Sequence, residues 1–274
     1  MPLTPMQRHL CASGWLALAV WLGAVLFGPS LVSLLGLEAW VGSQTHLYAH
    51  GHPFVDARTW MGVPNALDVL SNLPLAMAGL WGMGALVRRS RRTGLHKNTS
   101  RTLWVFFWGL VLTAAGSAVY HSAPNAVGLA LDRLGMAVAF AGALGLAMAE
   151  RVGARIARNA LIAVLLVGSL SAVMPVAHGN VLPWAVVQYG GMAFLAWAAW
   201  RKPLPTALGV SLGGMLVIYA AAKLFEMGDA GVFHALGGLV SGHTLKHLAA
   251  ALAAWPVIRA LNENARSDSL VATQ

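Results

Sequence analysis

The sequence predicts an all-α integral-membrane bundle, and three observations carry that expectation. The first is composition: 58% of the 274 residues are hydrophobic, only 10% are charged, and the mean hydropathy is +0.66. Soluble domains carry about 25% charged residues, so a chain this apolar cannot turn a polar face to water everywhere, and lipid must be its solvent. The second is segmentation. A helix crossing the hydrocarbon core needs about 20 mostly apolar residues. Eight runs meet that need: 13–36, 67–87, 103–122, 127–149, 159–178, 183–200, 206–226 and 240–261. The third is the placement of charge. The 18 Lys and Arg exceed the 9 Asp and Glu, and the cations cluster in links between the runs.

The runs can be justified in order. Residues 12–36 are longer than a signal-peptide core and no clear small-residue cleavage site follows, so 13–36 is expected to be a retained helix. The run 67–87 ends in Arg88, Arg89, Arg91 and Arg92, and 103–122 is preceded by Lys97 and Arg101. Arg151, Arg155 and Arg158 separate 127–149 from 159–178, and Arg201 and Lys202 follow 183–200. Arg259 and Arg266 belong to the tail and Arg8 to the N-terminus. All fall on one side if eight helices alternate, which makes both termini cytoplasmic; Arg58 lies on the other side. A net charge of +9 in a soluble protein would suggest nucleic acid, but the positive-inside pattern accounts for it here. The one cysteine, Cys11, excludes an intramolecular disulfide and a cysteine-only metal cluster. The chain reads as a single transmembrane domain, 1–274, and its expected location is a bacterial inner membrane.

Ionisable side chains inside spans are costly and usually face the bundle interior, so each is a functional candidate. With the derived topology, Asp68, Ser71, Asn72, Ser117, His121, Asp132, Glu226, His243 and His247 come to one depth on the non-cytoplasmic side. His243 and His247 are four residues apart, on one helix face, a spacing that suits two ligands of one metal or a pair bonding across helices. Ser117 and His121 repeat that spacing. A third imidazole would complete a three-histidine site with one position open for water, the arrangement of catalytic zinc. Asp132 lies one short link away, and a carboxylate there could take a proton from zinc-bound water and return it to a leaving group.

The residues GSAVYH (116–121), Asp132 eleven positions after His121, and HTLKH (243–247) resemble the alkaline ceramidase family, of the CREST superfamily of membrane hydrolases. DVLSN (68–72) looks like the polar start of that family's first core helix. The resemblance covers about residues 55–262, so the fold it implies is a seven-helix CREST-like bundle with 13–36 as an extra N-terminal helix. It implies that His121, His243 and His247 bind Zn²⁺, that Asp132 is the acid/base, and that Ser117 supports the water or oxyanion. The implied reaction is hydrolysis of the amide of ceramide or another N-acyl lipid by zinc-bound water. The family's acidic N-terminal calcium site is not carried over, since 37–66 offers only Glu38 and Asp56.

Plainer readings stand beside these. Ser117 could bond the carbonyl one turn earlier, Asp132 and Arg133 could pair, and Ser71 and Asn72 could be interhelical glue. Asp68 could cap its own helix, Lys223 could pair with Glu226, and Asp229 is expected to face a loop. Lys246 could snorkel or meet an anionic head group. His46, His50 and His52 read as surface-loop residues. Three other classes are weighed: a receptor-like relative with zinc and little turnover, a metal or proton transporter, and a haem cytochrome. A transporter should have polar groups through both membrane halves, and histidines at i, i+4 on one helix cannot flank one iron.

Overall fold

The computed structural model describes residues 5–38 and 54–271, and they form helices with no β-strand among them. The helices are α1 (Pro5–Leu34), α2 (Ala66–Leu70), α3 (Leu73–Thr93), α4 (Lys97–Ser122), α5 (Ala126–Arg151), α6 (Ala154–His178), α7 (Leu182–Ala199), α8 (Leu212–Met227), α9 (Asp229–Ala235), α10 (Gly242–Leu252) and α11 (Trp255–Val271). Each predicted run contains helix, interrupted or delayed at 71–72, 206–211 and 253–254. Five segments among the described residues are long and apolar enough to cross a membrane: Arg8–Leu34, Ala66–Arg92, Lys97–Ser122, Ala126–Arg151 and Ala154–His178. The chain is a helical membrane protein.

Of the other three predicted runs, 183–200 is met by the unbroken 18-residue α7, while 206–226 and 240–261 are shortened or divided, each with a local cause. The run at 206–226 begins helix only at Leu212, because 204–210 is tied to the end of α5. Glu150 takes Leu208 N–H at 2.7 Å and Val210 N–H at 2.9 Å on its carboxylate, and Leu204 N–H at 2.9 Å on its carbonyl. The run at 240–261 divides into α10 and α11 two residues before Pro256, which has no N–H to continue the ladder. Pro74 similarly accompanies the break between α2 and α3 at Ser71 and Asn72. The first helix stops where Gly36, at φ +64°, permits a Schellman closure, Leu37 N–H to Val32 O at 2.9 Å.

The α4–α5 pair forms the centre, α5 being the most enclosed span (67% of its apolar window buried) and α1 the least (12%). Glycines set that pairing. Gly109 and Gly116 on α4, and Gly128, Gly135 and Gly142 on α5, recur every seven residues. A Cβ at Gly109 would stand 2.2 Å from Ala139 N, and one at Gly116 2.6 Å from Leu131 O. Backbone therefore meets backbone, as small residues allow between membrane helices. This close approach brings the start of α5, with Asp132, against the end of α4, with Ser117 and His121. The apolar core, including Leu86, Leu103, Phe107, Leu146, Ile258 and Leu261, fills the end of the bundle near the basic links. The polar cluster takes the opposite end. On the periphery, α1 is held by Trp21 Nε1–H to Ser171 Oγ at 2.8 Å and Asn180 Nδ2–H to Ala24 O at 2.8 Å.

Gly109→Val should overpack the α4–α5 contact and destabilise the protein by about 1–3 kcal/mol. Gly84→Ala, whose Cβ would meet only Arg88 Nη1 at 3.4 Å, should be neutral. Thermal unfolding in detergent, followed by tryptophan fluorescence, separates the two.

Candidate metal centre

The histidine helix α10 is oriented through its N-terminus. Ser241 caps it, accepting Thr244 N–H at 2.9 Å. The Asp68 carboxylate reaches across from α2 and accepts the Thr244 hydroxyl at 3.0 Å and the Ser241 hydroxyl at 3.4 Å. Asp229 Oδ1 takes His243 N–H at 2.8 Å. Two carboxylates thus sit at the positive end of the α10 dipole. A Cβ on Gly242 would lie 2.3 Å from Phe225 O, so only glycine lets α10 begin this close to α8. Asp68, expected as a cap of its own helix, instead positions another.

With α10 held in that way, His243 and His247 turn one face toward α4 and meet His121. The three imidazoles are buried, and their ligand nitrogens lie within 4.8 Å of one another. His121 Nε2 and His243 Nε2 stand 3.1 Å apart. Two nitrogens on one tetrahedral zinc, at Zn–N of about 2.0–2.1 Å, would be roughly 3.3 Å apart, so the spacing fits a shared ion. Ser71 Oγ lies 2.7 Å from His247 Nδ1. That contact leaves Nε2 for the centre and makes Nδ1–H the donor, with the Ser71 hydroxyl passing to Asp68 O at 3.2 Å. Metal-binding histidines are commonly oriented by such a bond on the second nitrogen. Ser71 is therefore the interhelical glue the sequence suggested, and it acts on a histidine.

Ser117 Oγ lies 3.5 Å from His247 Nε2 and also meets the buried Asp132 carboxylate. All five expected site residues, Ser117, His121, Asp132, His243 and His247, are brought together. Arg133 lies over Trp184, 5.8 Å from the ring. Lys223 pairs with Glu226 as expected, and Lys246 joins the same carboxylate at 3.3 Å.

No family model, curated protein or solved structure matches the chain. What the site can do rests on its own donors and surroundings. The donor set of three imidazoles could hold a metal ion.

Two cavities meet at the histidines. The larger has about 940 Å³ of empty space including its open mouth, and runs from Ser117, Asp132 and His247 to apolar walls of Leu75, Phe106, Leu110, Leu195 and Met215. The smaller, about 390 Å³, includes His121, His243, Arg133 and Trp184. Phe54 closes the latter, its ring 3.7 Å from that of His243 and 5.0 Å from that of His121. Its segment is fastened by Val55 N–H to Asp229 Oδ2 at 3.2 Å. Arg58 binds Asp56 at 2.7 Å and Leu239 O at 2.8 Å, and the Asp56 hydrogen bond raises the Arg58 guanidinium above its ordinary pKa. Phe54 and the double role of Asp229 were not expected; the Pro-Phe pair in HGHPFVD gives no periodic signal. His46, His50 and His52 lie outside the described residues.

Ser71→Ala should weaken metal binding at the three histidines about ten-fold by freeing the His247 ring. Competition with a chromophoric chelator measures it, and unchanged affinity would remove Ser71 from the centre.

Proposed function

We propose that this protein is a zinc-dependent intramembrane hydrolase that cleaves the amide of ceramide or a related N-acyl lipid. The observation that carries the reading is the convergence of His121, His243 and His247 beside Asp132 and Ser117, at the head of a long apolar cavity. Three imidazoles, with a fourth position left to water, are the donor set of catalytic zinc. The resemblance of these residues to the alkaline ceramidases supports the same assignment. It also supports a seven-helix core with α1 added, while the basic links argue for both termini on the cytoplasmic side of a bacterial inner membrane and the site on the other. The gathering of three imidazoles, Asp132 and Ser117 into one cluster favours a hydrolase over a transporter.

Zinc in such a site lowers the pKa of water toward about 7 and polarises a carbonyl oxygen. The protein's residues supply the rest. The larger cavity takes the acyl chain, and the smaller one takes the head group, which sets the amide between them. Asp132 receives the proton of the attacking water as its oxygen joins the carbonyl carbon. The same carboxyl returns that proton to the amide nitrogen as the C–N bond breaks, leaving a fatty acid and an amine. Ser117 donates to the Asp132 carboxylate while it is ionised, and its one hydroxyl proton can turn to the developing oxyanion once Asp132 has taken the proton of the water.

The purified protein should carry about one zinc per chain, and His243→Ala should lose it. Asp132→Asn should keep the metal and lower kcat on an N-acyl lipid by roughly 10²–10⁴-fold. Zinc-free wild type, or an Asp132→Asn variant as fast as wild type, would overturn the reading.

A further inference from the structure

The walls of the two cavities hold a charge arrangement that hydrolysis of a neutral amide does not require. Lys223 and Glu226 come from α8, Lys246 from α10, and Asp132 and Arg133 from α5. Both ammoniums end on one carboxylate, Lys223 on Glu226 Oε2 and Lys246 on Glu226 Oε1 at 3.3 Å. The two lysine side chains are mostly enclosed, 13% and 17% exposed, and both line both cavities. Among the described residues the smaller cavity has three basic side chains, Arg133, Lys223 and Lys246, against two carboxylates, Asp132 and Glu226. An ion held by the three histidines would add to the surplus. Charges inside a membrane are costly unless something pairs with them. Glu226 and Asp132 can balance two of the three basic groups in this lining, and hydroxyls, the only polar groups of a ceramide head besides its amide, add no negative charge for the third.

We propose that the head group accepted here is anionic, a carboxylate or phosphate a few bonds from the amide, and that Lys223 and Lys246 receive it. The substrate class is then the acidic N-acyl lipids, of which the simplest are N-acyl amino acids. This inference rests on the hydrolase reading for its amide and on the lysine–glutamate triad for its charge. Glu226 acts as the holder that keeps both ammoniums at these walls while the anionic oxygens approach their remaining N–H bonds. Lys246, set between the two histidines in sequence, places one of these contacts beside the metal centre.

The test is equilibrium binding to the detergent-purified full chain, stripped of metal so that binding is read without turnover. The probes are radiolabelled N-oleoylglycine, N-oleoylethanolamine phosphate and neutral N-oleoylethanolamine. At least one acidic lipid should bind about ten-fold tighter than the neutral one, and which one does so separates carboxylate from phosphate. Lys246→Met and Lys223→Met should each reduce that preference, and Glu226→Gln, which keeps the shape and removes the opposing charge, should increase it. Equal affinity for acidic and neutral lipids in wild type would overturn the proposal, as would a preference untouched by all three variants. Zinc-loaded protein that hydrolyses neutral and acidic amides alike would overturn it too, while leaving the hydrolase reading in place.

Discussion

The site depends on one constraint, the fixing of the N-terminus of α10. A helix start leaves backbone N–H groups without intrahelical partners, and inside a membrane no water is at hand to satisfy them. Here the start is clothed by Ser241, Asp68 and Asp229, contributed from the preceding turn, from α2 and from the head of α9. The same bonds fix the rotation of α10 about its axis and so decide where His243 and His247 point. Backbone satisfaction and ligand orientation are therefore one problem with one solution. Gly242 belongs to it, since a side chain there would drive α10 away from Phe225 and carry both imidazoles with it.

Much of this was legible in the chain. The i, i+4 pairs Ser117–His121 and His243–His247 announced a shared face, and the one-sided depth of the polar residues announced a cluster. Lys223 and Glu226 sit three apart on a helix, so their pairing followed from local geometry. The glycines 109, 116, 128, 135 and 142 carried a seven-residue period that specifies the α4–α5 contact, a signal present in the sequence but not drawn from it. What could not be read is what depends on tertiary approach. Asp68 looks like a first-turn acid until α10 is placed beside it. Phe54 is an unremarkable loop aromatic until His243 lies 3.7 Å from its ring centre. The late start of α8 follows from Glu150, whose partners at 208 and 210 are 58 and 60 residues away.

The bundle also divides its materials by depth. Near the basic links, large aliphatic and aromatic side chains pack together, and Glu150 and Arg151 tie a link and the end of α7. At the other end, small residues let helices approach and polar side chains fill the space gained. The larger cavity spans the two zones, polar at its mouth and apolar at its depth, which is the profile of an amphiphile lying along the helices.

Asp229 joins two structures through separate atoms. Oδ1 holds His243 N–H and Oδ2 holds Val55 N–H. The bond that fastens the segment bearing Phe54 can therefore break while the bond that orients the histidine helix stays intact. The cover over the imidazoles and the helix that orients them thus share one anchoring residue through two separate bonds, so neither bond alone decides both.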